Sequence, residues 1–147
     1  MLSKPNIGWS VFTLGEFQTE VSYLVDIPFD WLRACISGLK YNIPFSFFLE
    51  EEGSNCIVTA YWDYTHIIIQ NEDVTLKTIK DADWLDLSYM LLVDIKRYFD
   101  DWVNWYAFEQ TESDFLRRRI ELKELIEETE QILYITAKKQ QKSFAEL

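Results

Sequence analysis

Residues 81–106, DADWLDLSYMLLVDIKRYFDDWVNWY, set the tightest limit on what this chain folds into. At 100° per residue, Trp84, Leu85, Leu87, Leu91, Leu92, Ile95, Tyr98, Phe99, Trp102 and Val103 gather on one broad apolar face. Asp83, Asp86, Asp94, Arg97, Asp101 and Asn104 fall opposite them, and Lys96 and Asp100 join the polar side. The pattern predicts one long amphipathic helix followed by an aromatic cluster, with its apolar face covered by other elements. Tyr89 and Val93 interrupt the polar side, and an acidic stripe carrying a tyrosine has the character of a recognition surface.

The chain before this stretch opens on a hairpin. Residues 8–14 and 17–27 read as two strands joined through Gly15 and Glu16. In the second, Phe17, Thr19, Val21, Tyr23 and Val25 alternate with Gln18, Glu20, Ser22, Leu24 and Asp26. Pro28 ends that strand, and Asp30 caps a helix over residues 31–40 whose apolar stripe is Trp31, Leu32, Cys35, Ile36 and Leu39. From Pro44 onward, PFSFFLEE, NCIVTAYW, THIIIQ and VTLKTI, separated by polar turns, predict a four-strand antiparallel meander.

Beyond the central stretch, Ser113 or Asp114 caps a last helix reaching Lys142. Phe115, Leu122, Leu125, Ile126, Thr129, Ile132, Leu133 and Thr136 mark a nearly heptad stripe along it. Such a helix serves either as a mate for the central helix or as an arm onto another copy. Two threonines in the stripe favour packing within the domain. The order ββαββββαα predicts a single α+β domain over residues 1–147: one antiparallel sheet of five to six strands, helices packed on one face, and a long C-terminal helix.

No catalytic pattern accompanies these elements. His66 is the only histidine and alternates with Tyr64 and Ile68 on a strand face, so it reads as a packed histidine and not a catalytic base. Gly8, Gly15, Gly38 and Gly53 are too scattered for a phosphate-binding loop, and Asp81, Asp83 and Asp86 lack the glycine and terminal glutamate of a calcium loop. Cys35 and Cys56 have no metal-site spacing and read as buried free thiols. The expectation is a non-enzymatic protein without a cofactor or metal. The N-terminal MLSKPNIGW lacks a signal-peptide apolar run, which leads to a cytoplasmic expectation.

The net charge of −11 disfavours nucleic acid and anionic membrane surfaces as partners and points to a basic protein. Acids outnumber bases ten to five up to Lys80 and seven to two over residues 81–110, but only eight to seven thereafter. The excess therefore belongs to the strands and the central helix. The candidate contact residues are Asp83, Asp86, Tyr89, Asp94, Asp100 and Asp101 on the helix, with Glu50, Glu51 and Glu52 at a hairpin tip as a second acidic edge. In size, acidity, aromatic richness and absence of catalytic signatures, the chain resembles the immunity proteins of bacterial polymorphic toxin systems. The resemblance implies occlusion of a toxin, commonly a nuclease with a basic cleft, by carboxylates standing where substrate phosphates would lie. Two other readings come from the residues: a small-molecule module with a cavity lined by Trp9, Tyr23, Phe47, Trp62 and Trp84, or an oligomerisation protein built on the last helix.

Overall fold

The computed structural model describes residues 1–51, 53–105 and 111–144. The fold is α+β, with six strands and four helices among the described residues in the predicted order, the central helical region being two helices. The single sheet is corrected to two: a hairpin of β1 (Trp9–Leu14) and β2 (Phe17–Ser22), and an antiparallel sheet in the order β3 (Phe45–Glu50), β4 (Asn55–Ala60), β5 (Thr65–Gln70), β6 (Val74–Ile79). The hairpin does not extend the larger sheet because it engages it through side chains. Phe12 meets Trp31 and Phe47 edge-on, with ring centroids 5.6 and 6.2 Å apart. The Trp31 indole N–H donates to the Phe48 carbonyl at 3.0 Å, so part of the β3 edge is already occupied.

Helix α1 (Ile27–Tyr41) begins four residues before its predicted start. Pro28 lies in the first turn, where its fixed φ suits a helix and its missing N–H costs nothing, so the proline opens a helix where the sequence reading had it end a strand. Asp26, not Asp30, holds the N-cap position. At the other end Asn42 adopts a left-handed conformation (φ 54°) and donates its N–H to the Gly38 carbonyl.

The long central helix is also corrected. It divides into α2 (Trp84–Arg97) and a short α3 (Phe99–Val103), with Tyr98 between them at φ −113° and ψ 36°. Asp83 caps α2 through the N–H groups of Leu85 and Asp86, and Asp86 reaches back to the Asp83 N–H, closing a capping box. Helix α4 (Glu112–Lys139) starts from an equivalent box of Thr111 and Asp114, two positions before the earlier of the two expected caps. It buries Leu122, Ile126, Thr129, Leu133 and Ala137 along α1 and α2. Its stripe thus packs within the domain. The core joins both layers, with Trp31, Trp84 and Trp102 fully buried.

One local conformation runs against its sequence. Asn6 and Trp9 exchange backbone hydrogen bonds across a two-residue turn, in which Ile7 and Gly8 have φ of 47° and 77°. A β-branched residue strains at positive φ, where asparagine is at ease, and Ile7 is 88% exposed, so little packing offsets the strain. Ile7→Asn is expected to raise the unfolding free energy by about 1 kcal/mol. Thermal melting checks this: an unchanged or lower midpoint would show that the isoleucine is not strained here.

Candidate interaction surface

The structure separates the predicted contact residues into two groups. Those on the helices are engaged by the chain itself. Lys142 places its ammonium 2.6 Å from an Asp83 oxygen and 2.7 Å from an Asp86 oxygen. Burial lowers the Lys142 pKa, but hydrogen bonds and charge attraction from the two aspartates outweigh it, and the net shift is upward. Phe144 stacks on Tyr89 with ring centroids 4.4 Å apart. Residues 142–144 therefore fold back over the first turns of α2 and cover the tyrosine that interrupted the acidic stripe.

The remaining helix acids follow the same rule. Asp100 pairs with Arg119 at 2.6 Å and Asp101 with Lys4 at 3.4 Å. Asp94 corrects the helical projection, since it is 3% exposed. Its carboxylate accepts the Leu2 N–H at 2.7 Å and lies 3.6 Å from Arg97. A contact spanning 92 residues of sequence turns a nominally outward position into an internal one.

The strand acids are placed differently. The register Glu50↔Asn55, Asn55↔Gln70 and Gln70↔Val74 brings the β3–β4 and β5–β6 turns to the same end of the sheet. Glu50 and Glu51 thereby share that end with Glu72 and Asp73, which the sequence reading treated only as a turn. Glu51 accepts from the Ser54 hydroxyl, and none of the four forms an ion pair among the described residues. Glu52 lies outside the described residues.

These acids border a surface that the sequence reading did not single out. One face of the sheet carries Phe45, Phe47, Leu49, Cys56, Val58, Ala60 and Ile67 into the core. By alternation the other face presents a row of Phe48, Ile57, Ile68 and Leu76, each directly opposite the next across three strand pairs. Phe48 and Leu76 are each 58% exposed, and Ile57 and Ile68 are half-buried. The next row, Ser46, Thr59, His66 and Thr78, is polar, and beyond it Tyr61 and Tyr64 stack at 4.8 Å with His66 close to both rings. From one end to the other the face runs aromatic, polar, apolar and acidic. Tyrosines, an exposed apolar row and a polar rim are features that protein interfaces share.

The sequence carried a signal for this surface. SFFLE and HIII place apolar residues on both faces of strands in an antiparallel meander, where one apolar face suffices for a core on one side. No such doubling explains the helix acids.

Burial pushes the Cys35 thiol up to about 12 and the Cys56 thiol up to about 11, so neither supplies a thiolate near neutral pH. Among the described residues no cluster of histidine, cysteine and carboxylate side chains has the arrangement of a metal site. Of the residues expected to line a ligand cavity, Phe47 and Trp84 fill the core while Trp62 is 46% exposed, so the set is split between interior and surface. Among the described residues no helix is long and apolar enough to cross a membrane. No protein-family model matches the chain, and no curated protein or solved structure matches it.

Proposed function

We propose that this chain is a non-enzymatic, cytoplasmic binding protein of the immunity type, which neutralises a basic partner, a toxin domain of the nuclease kind, by occlusion. The observation that carries the reading is the open face of the β3–β6 sheet: an exposed apolar row bordered by the carboxylates of Glu50, Glu51, Glu72 and Asp73, which have no ion-pair partner among the described residues. A basic cleft meets the acidic end first, because unpaired charge steers encounter. The apolar row and the tyrosines then supply contacts that hold once water is excluded. The helix acids Asp83, Asp86, Asp100 and Asp101 contribute less in this reading, since a partner would first have to displace Lys142, Arg119 and Lys4.

The test is affinity capture by the tagged protein from lysate of its own source, at low and then moderate salt, followed by titration of the recovered protein's toxic or nuclease activity. One basic domain, silenced at a fixed stoichiometry, is the expected result. Phe48→Asp and Ile68→Asp are each expected to weaken its binding by at least about 30-fold, the scale of a lost hot spot. Glu50→Lys with Glu51→Lys should chiefly slow association. Recovery of the partner with undiminished affinity by the Phe48 and Ile68 variants would remove the sheet face from the reading.

A further inference from the structure

We propose that the free edge of β6 is a self-association edge, along which β6 pairs antiparallel with β6 of a second copy and joins two four-stranded sheets into one of eight. This assignment uses the edge of the sheet; it shares only Leu76 and Asp73 with the face proposed for a partner, and its test reads the mass of the chain alone and not partner binding. Strand β6 pairs only with β5 among the described strands, and every residue from Val74 to Thr78 is exposed, Val74 at 71% and Leu76 at 58%. An exposed strand of residues with high β propensity, VTLKTI, lacking proline, is a template for pairing unless something blocks it. At the opposite edge Trp31 occupies the Phe48 carbonyl. On β6 the only charge is Lys77, and its ammonium lies over the Phe17 ring, 5.4 Å from the centroid.

Face matching and charge select a second copy of this chain and fix the register. Outer residues must meet outer residues, so the two-fold axis passes through a residue and not between two. An axis at Lys77 opposes two lysines. An axis at Leu76 sets Lys77 against Thr75. An axis at Thr75 sets Lys77 of each chain against Asp73 of the other, twice, while Leu76 of each chain covers Val74 of the other on the outer face. That last register alone matches opposite charges and shields the two most exposed apolar side chains of the strand.

Sedimentation equilibrium at 0.15 M salt over about 2 to 500 μM reads the association directly, with net charge screened beyond roughly 8 Å. The expected result is a mass rising from 17.6 kDa toward twice that value. Asp73→Lys and Lys77→Glu should each weaken the dimer about 10-fold, and the double reversal should restore it to within about 3-fold, because both symmetric pairs are re-formed with exchanged signs. Thr75→Lys, which opposes two lysines at the axis, should give a monomer, and circular dichroism of each variant reports that the fold is kept. A monomer at every concentration overturns the proposal. A dimer unmoved by either single reversal also overturns it and places the interface elsewhere, Leu116 and Ile120 of α4 being another exposed apolar pair.

Discussion

Arg118→Ala is expected to lower the unfolding free energy by about 2–3 kcal/mol, below the scale for a fully buried ion pair because the Asp26 side chain is 27% exposed. The Arg118 side chain is 11% exposed and joins three elements. Its guanidinium donates to both Asp26 oxygens at 2.6 and 2.8 Å, and its Nε donates to the Val103 carbonyl at 3.0 Å. It also stands over the Phe29 ring at 4.5 Å. Alanine would leave the Asp26 carboxylate at the N-terminus of α1 and the Val103 carbonyl at the end of α3 without this donor, and would remove the polar link from α4 to both. For a domain of this size the loss corresponds to a midpoint roughly 10 °C lower. Arg118→Lys should recover less than half of it, because an ammonium cannot make the bidentate pair and reach Val103 together. Chemical denaturation of the single variants, Asp26→Ala and the double variant measures the coupling. A cost below about 1 kcal/mol for Arg118→Ala would mean that α4 is held by its apolar stripe alone.

The order of elements was legible because each announces itself over a few residues. Period-2 alternation marked β2, short apolar runs between polar turns marked β3 through β6, and the 3.6-residue period marked the helices. What escaped were decisions made between distant parts of the chain. Pro28 is compatible both with ending a strand and with opening a helix, and only the packing of Ile27 and Phe29 into the core selects the second. The break at Tyr98 has neither proline nor glycine to signal it. The hairpin and the meander share strand chemistry, so nothing local states that Phe12 will meet Trp31 and Phe47 through its ring and leave the strands unjoined. The candidate site divided along the same line. Acidity was legible, but whether an acid is free depends on which base the fold brings to it, and Lys142 reaches Asp83 across 59 residues. The doubled apolar faces of β3 and β5 were the local signal that the helix stripe obscured.

Trp31 carries the second large expectation, because it is where α1, the hairpin and the β3 edge meet. Its ring is fully buried, stacked on Phe47 with centroids 4.3 Å apart and met edge-on by Phe12. Trp31→Ala is expected to cost about 3–5 kcal/mol, combining lost transfer free energy with a cavity that three elements line and none can easily close. Trp31→Phe separates packing from hydrogen bonding. It keeps a ring against Phe47 and Phe12 but removes the indole N–H that binds the Phe48 carbonyl, and should cost about 1–2 kcal/mol. Hydrogen exchange then shows where the loss falls. In the phenylalanine variant the amides of β3 should lose protection first, while those of α2, whose Trp84 and Leu85 pack elsewhere in the core, keep theirs. Because Phe48 projects from the same residue of β3 onto the open face, a loosened edge should also blunt partner binding in a protein that is still folded. Equal loss of protection in β3 and α2 would mean that the indole bond does not hold the edge and that Trp31 acts only by filling volume.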